Sequence, residues 1–181
     1  LLDFYEQQAS ARFSNIPWLV RAQEKALVDF TRMGFPARHQ EDWKYTAVGA
    51  FLKQPFLPSA SPSLSSATTP CSIPISCVTI ESEMAPGQRA DEKDGVIIQP
   101  LAQALVEHAD KIKPYLGKIL QQQHGFHALN TAMLQDGVFI YLPAGVCLTT
   151  PLLLSHWQDK EYQASYRRNL IIAEAGSSAS I

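Results

Sequence analysis

Gly125-Phe126-His127-Ala128-Leu129-Asn130-Thr131-Ala132-Met133-Leu134-Gln135-Asp136-Gly137 runs directly into Val138-Phe139-Ile140-Tyr141-Leu142-Pro143-Ala144-Gly145-Val146. The first half has apolar residues at helical spacing, and Asp136-Gly137 ends it. The second half is a short apolar run closed by a Pro-Ala-Gly turn, which predicts a strand followed by a sharp reversal. A second turn, Glu174-Ala175-Gly176, follows another apolar strand, Asn169 to Ala173, and Gly176 stands 31 positions after Gly145. Self-similarity at such a period predicts stacked coils, each burying its apolar face only against its neighbours. Turns built on Ala-Gly also occur in antiparallel sandwiches, so the residues alone leave both architectures open.

Upstream, two amphipathic helices are expected. Leu2, Tyr5, Ala9 and Phe13 mark the first, and Leu19, Ala22, Ala26, Phe30 and Met33 the second. Ser14 or Asn15 is expected to cap the second helix, Pro17 to occupy its first turn, and Gly34 with Pro36 to stop it. Thr46 is a candidate cap for a short helix over Ala47 to Leu52. From Pro55 to Pro74 the composition shifts to Ser, Pro, Ala and Thr with almost no charge, which reads as a linker. Ile73 to Ile80 and Gly95 to Ile98 read as strands. Pro100 to Glu107 and Asp110 to Gln122 read as helical, with Pro114 and Gly117 breaking the latter. This divides the chain into a helical region over residues 1–54, a linker over 55–72, and an α/β entry segment with the start of a β core over 73–181.

Composition excludes several functions. The 181 residues carry a net charge of −2 and 18% charged residues, without the basic excess that phosphate binding requires. The basic doublet is Arg167-Arg168. No apolar run approaches the roughly 20 residues of a membrane span, and no apolar signal core opens the chain. The three cysteines, Cys71, Cys77 and Cys147, form no Cys-x-x-Cys pair, and their odd number suits reduced thiols in the cytoplasm. The chain starts at Leu1 without Met and stops at Ile181 within an alternating run, which suggests a piece of a longer solenoid whose open end a further element would cover.

Candidate chemistry is sparse. His124 and His127 stand three apart and on one helical turn would face a shared metal, but His39, His108 and His156 offer no third or fourth ligand at suitable spacing. Both are expected to be helix-entry packing residues. Cys147 follows the turn on an alternating strand with no cationic neighbour, which predicts a small buried hydrophobe rather than a reactive thiolate. Glu41-Asp42 are adjacent and therefore point apart, so they are expected to be solvated while Trp43 and Tyr45 anchor the helical region. No Gly-x-Ser-x-Gly, phosphate-binding glycine loop or paired-cysteine zinc pattern is present. The sequence thus assigns no catalytic, cofactor-binding or metal residue.

Several segments together resemble the SufB/SufD family of iron-sulfur cluster assembly scaffolds, and within it the SufD type. They are Trp18-Leu19 with Arg21, Gly34-Phe35-Pro36, Glu41-Asp42-Trp43-Lys44-Tyr45-Thr46, and Gly95-Val96-Ile97-Ile98-Gln99-Pro100-Leu101-Ala102. The series continues through Phe126 and Asn130-Thr131-Ala132 to Asp136-Gly137-Val138, then Leu142-Pro143-Ala144-Gly145-Val146 and Arg168-Asn169-Leu170-Ile171-Ile172. The resemblance implies a mainly β fold with N-terminal helices, in which a helical N-terminal region leads into the first coils of a right-handed parallel β-helix, truncated here. It further implies a non-enzymatic scaffold that supports cluster assembly and iron acquisition. Its partners would be a SufB-type paralogue, met through the β-helices, and a SufC-type ATPase, met through a later C-terminal helical region. The nascent iron-sulfur cluster would be cargo of the whole complex, handled by residues in later coils. Nucleic acid and membrane are not expected partners. The rival readings are SufB rather than SufD, a small cupin-like metal-dependent enzyme, which would need a clustered His-x-His and a Glu, and a β-solenoid transferase or lyase.

Overall fold

A computed structural model describes residues 14–53, 56–58, 76–79, 95–120, 124–135, 137–149, 151–155 and 163–181. The expected first helix through Phe13, most of the expected linker, and Cys71 lie outside the described residues. The helices are α1 (Pro17–Met33), α2 (Val48–Phe51), α3 (Leu101–Glu107), α4 (Ala109–Ile112) and α5 (Gly125–Ala132), with a 3-10 turn at Glu41–Trp43 between α1 and α2. The strands are β1 (Leu57–Pro58), β2 (Ser76–Thr79), β3 (Ile97–Pro100), β4 (Val138–Leu142), β5 (Leu152–Ser155), β6 (Gln163–Ala164) and β7 (Leu170–Ala173). They fall into two compact units, one drawn from Leu1–Pro58, His108–Gln135 and Lys160–Arg167, the other from Ser59–Glu107, Asp136–Asp159 and Arg168–Ile181.

The first unit is organised by α1 against α5. Leu19, Gln23, Ala26 and Phe30 form the buried stripe of α1, at the spacing that keeps one helical face inward. Ala26, Ala128 and Ala132 are fully buried, so the two helices meet over small side chains, with Phe30, Leu129, Met133 and Tyr166 filling the space around them. The one polar member of the stripe is satisfied: the Gln23 amide donates to the Ala132 carbonyl at 3.2 Å. At its start, α1 departs from expectation. Ile16, not Ser14 or Asn15, is the capping residue, and no side-chain cap bond is made. Pro17 fixes the first turn, and the Ile16 carbonyl accepts from Leu19 and Val20 at 3.0 and 3.1 Å while its side chain is buried. The far end stops where expected, with the Gly34 N–H donating to Phe30 at 2.8 Å. At the start of the expected linker, Leu57 and Pro58 pair in parallel with Gln163 and Ala164.

In the second unit, β4 is central. It pairs antiparallel with β3, Ile98 opposite Ile140, and parallel with β7, Ile140 opposite Ile171. Val138, Phe139, Ile140 and Leu142 are all buried, so the apolar run reflects burial on both faces. The strand expected over Gly95 to Ile98 begins two residues later, because Gly95 takes a left-handed turn. The β4–β7 register offsets the partners by the same 31 positions that separate the two Ala-Gly turns, and Val138 N–H reaches Asn169 Oδ1 across that offset at 3.1 Å. The turns themselves lie side by side. Glu174 N–H donates to Leu142 O and Gly145 N–H to Ala175 O, each at 3.0 Å, and Cys147 bridges Ser178 in parallel. Leu148 and Leu152 continue the ladder by donating to Ser178 and Ser180, both at 2.8 Å. A second parallel pair, β2 with β5, belongs to the same unit. Val96, Ile98, Val138, Ile140, Leu142 and Leu152 form its core, with Val146, Leu148, Leu154 and Ala179 packed around them.

The helix expected from Asp110 to Gln122 is reduced to the single turn of α4 and a series of tight turns beyond it. Pro114 has no N–H to continue the ladder, and Gly117 turns left-handed.

Candidate functional site

The chemistry-bearing side chains that the fold brings together lie in the first unit, at the entrance to α5. Gly34 ends α1, and the chain folds back through the 3-10 turn, where Trp43 N–H donates to Gln40 O at 2.9 Å and Thr46 N–H to Trp43 O at 3.0 Å. This places the Trp43 ring edge-on to His124, with centroids 4.9 Å apart, and 5.4 Å from Phe126. His124 immediately precedes α5 and stacks on His127, one turn along, at 3.8 Å and 29°. Phe126 meets Phe35 at 5.4 Å, and Phe35 meets Phe30 at 5.0 Å, so a row of rings runs from α1 to the histidine pair.

Two imidazoles stacked face to face direct their nitrogens along nearly parallel planes, whereas a chelated metal needs lone pairs that converge. Among the described residues, no group of three or more His, Cys, Asp or Glu side chains is placed to hold a metal ion. Nδ1 of each histidine is buried without a hydrogen-bond partner. Burial pushes the His124 pKa below the ordinary histidine value, the proximity of His127 adds to this, and Asp42 opposes it. The arrangement favours a neutral His124.

A pH dependence follows from that direction. With its folded pKa below the unfolded value, His124 binds fewer protons in the native than in the unfolded state through that interval, so stability increases with pH there. Its contribution is complete above about 6.5, the ordinary histidine pKa, and declines as pH falls through that value towards the folded pKa. Urea midpoints measured on either side of this window should drop on acidification, and by less in His124→Gln than in the native protein. An equal drop in both would assign the effect to other groups.

The remaining expected residues are dispersed. Glu41 and Asp42 are exposed, as solvated charges should be. Trp43 is the anchor, but Tyr45 is not: it is 91% exposed, with Lys44 Nζ 5.5 Å from its ring centre. The 3-10 turn ends between the two aromatics and directs only the first inward. Cys147 is also exposed, contrary to the buried position expected. Its neighbours Val146 and Leu148 pack on the second unit's core, and strand alternation then directs Cys147 outward. Cys77 lies on β2.

Sequence reading took Trp43 and His124 separately and missed their contact, because no local pattern links residues so far apart in the chain. It also missed a groove of about 530 Å³ in the first unit, lined by Phe35, Pro36, Arg38, Thr46, Val48 and Leu52 among others. In the second unit, Tyr141 donates its hydroxyl to Glu174 at 2.5 Å, a link that the 31-position offset makes possible.

The family model described as the SufBD protein N-terminal region matches residues 1–154, which include the histidine pair and the Pro143-Ala144-Gly145 turn. An iron-sulfur cluster assembly SufBD family protein of Synechocystis is 37% identical over 89 residues, 49% of this chain and 18% of that protein. One of Arabidopsis thaliana is 36% identical over 88 residues, 48% of this chain and 19% of the relative. One of Mycobacterium tuberculosis is 40% identical over 87 residues, 48% and 10% of the respective lengths. The matched stretch thus spans less than a fifth of each of these curated relatives. With the family model matched along most of its length, the chain belongs to the SufBD family.

Proposed function

We propose that this chain is the N-terminal part of a non-catalytic scaffold subunit, of the SufD type, in the Suf iron-sulfur cluster assembly complex. The observation that carries the reading is family membership, joined to relatives that are themselves iron-sulfur cluster assembly SufBD family proteins. The SufD type is favoured over SufB by Trp18-Leu19 and by the run from Glu41 to Thr46. The second unit is read as the first coils of a right-handed parallel β-helix. The parallel β4–β7 register and the paired Ala-Gly turns support this, because a solenoid coil hydrogen-bonds to the next at a constant offset. The cupin alternative is motivated by the Pro143-Ala144-Gly145 turn and by five histidines in a β-rich chain, but the sequence has no clustered His-x-His and the turn falls within the family match.

In this reading the subunit acts in the cytoplasm. It pairs with a SufB-type paralogue and works with a SufC-type ATPase, and the cluster under construction is cargo. Among the described residues no helix is long and apolar enough to cross a membrane. The physical role of the present segment is to hold a helical unit and the opening of a β core for later coils to continue.

Tandem-affinity purification of the full-length protein is the test. Recovery of a paralogous SufBD subunit and an ATPase in stoichiometric amounts is expected. The chain described here, purified alone, should hydrolyse no ATP and retain no stoichiometric iron by elemental analysis. A full-length protein that runs alone and turns over a carbohydrate or a small acid would overturn the scaffold reading, and tightly bound iron or zinc lost on replacing His124 and His127 would overturn their packing role.

A further inference from the structure

After α4 the chain forms a hydrogen-bonded knuckle: Tyr115 and Leu116 donate to the Ile112 carbonyl, each at 3.0 Å, and Lys118 and Ile119 donate to Tyr115 at 3.0 and 3.4 Å. Ile112 is fully buried beneath it, and Leu116 is half-buried. The knuckle is therefore anchored, yet its large apolar side chains face solvent. Ile119 is 69% exposed, Leu120 47% and Tyr115 43%. Single exposed hydrophobics are ordinary, but three within one turn and its successor form a patch. Lys113 and Lys118 on the same turns are exposed, and Asp110 and Lys111 precede them on α4.

We propose that the knuckle at residues 113–120 is a docking surface for a partner protein that presents an apolar side chain ringed by carboxylates. The apolar centre with a charged rim is the usual anatomy of a specific interface, and the lysines set the sign of the partner's rim. A second copy of this chain fits poorly, because a two-fold contact through this patch would bring lysines against lysines. An anionic lipid surface fits less well than a protein, since the chain has a net charge of −2 and the patch sits on a turn rather than along an amphipathic helix.

Fluorescence anisotropy with the full-length protein tests this. The probe is a labelled dodecapeptide with a Leu-Trp-Leu centre flanked by Glu, and the control is the same peptide with Lys for Glu. The acidic peptide should bind, weaken with added salt, and lose about tenfold or more in affinity to Lys113→Glu combined with Lys118→Glu and to Ile119→Ser. Both variants lie on the exposed side and should keep the native circular dichroism spectrum. Absent or variant-insensitive binding of the acidic peptide, or equal binding of the lysine peptide, overturns the proposal. So does patch-dependent self-association in sedimentation, or preference for phosphatidylserine vesicles over the peptide. None of these outcomes bears on recovery of the ATPase and the paralogous subunit, so the two readings fail separately.

Discussion

Replacing Gly137 with alanine is expected to destabilise the second unit by about 3 kcal/mol or more, at the upper end of overpacking losses. A Cβ at this position would land on the backbone carbonyl of Arg168. A flexible side chain could swing away from such an overlap, but the Arg168 carbonyl, two residues before β7, cannot move without shifting the start of that strand. Gly137 O also accepts from Leu101 N–H at 2.9 Å, and the adjacent Val138 N–H is bound to Asn169. The methyl group would therefore strain the approach to α3, the start of β4 and the start of β7 together. For a chain of this size the loss corresponds to a fall of about 6–12 °C in the midpoint of thermal unfolding. Hydrogen exchange should lose protection first in β4 and β7 while α1 keeps its own. A midpoint within about 2 °C of the native value would show that the contact relaxes freely, contrary to this account.

Phe30→Ala should cost about 3–5 kcal/mol, the range for emptying a buried aromatic site. Phe30 is almost fully buried between α1 and α5, and it contacts Phe35 at the head of the ring row that leads to Trp43. Alanine would leave a cavity lined by residues already held from several directions, including the Gln23 bond to Ala132, so little collapse can fill it. The expected result is the complement of the first: protection lost in α1 and α5, with β4 and β7 unchanged. A urea-unfolding loss below about 1 kcal/mol would mean that α1 and α5 repack without the ring.

Both substitutions act at places where the sequence shows the residue but not its neighbour. Gly137 is legible as a helix-to-strand junction, and Phe30 as a core position by its spacing from Ala26 and Leu19. That Arg168 presses on the one, and that Ala128, Leu129 and Met133 pack around the other, follows from pairing and packing between distant segments. The same division explains the misses. Around Cys147, which sits in an isolated parallel bridge rather than a strand, burial alternates, but the phase of that alternation is not legible in the sequence, because it depends on which of Val146 and Cys147 meets the core. Tyr45 and Trp43 are equally aromatic, and only the 3-10 turn directs one to His124 and the other to solvent.

By itself, the sequence determined where α1 stops, where β4 begins and ends, and that two Ala-Gly turns recur at a 31-position interval. Those features rest on proline's missing N–H, on glycine's access to left-handed backbone and on apolar period, all of which act over a few residues. Tertiary structure alone decided that the two turns lie side by side in parallel register, that His124 stacks on His127 under Trp43, and that Tyr115, Ile119 and Leu120 are exposed on an anchored knuckle. Each of these depends on which distant surface excludes water from which side chain, a choice settled only when the segments pack.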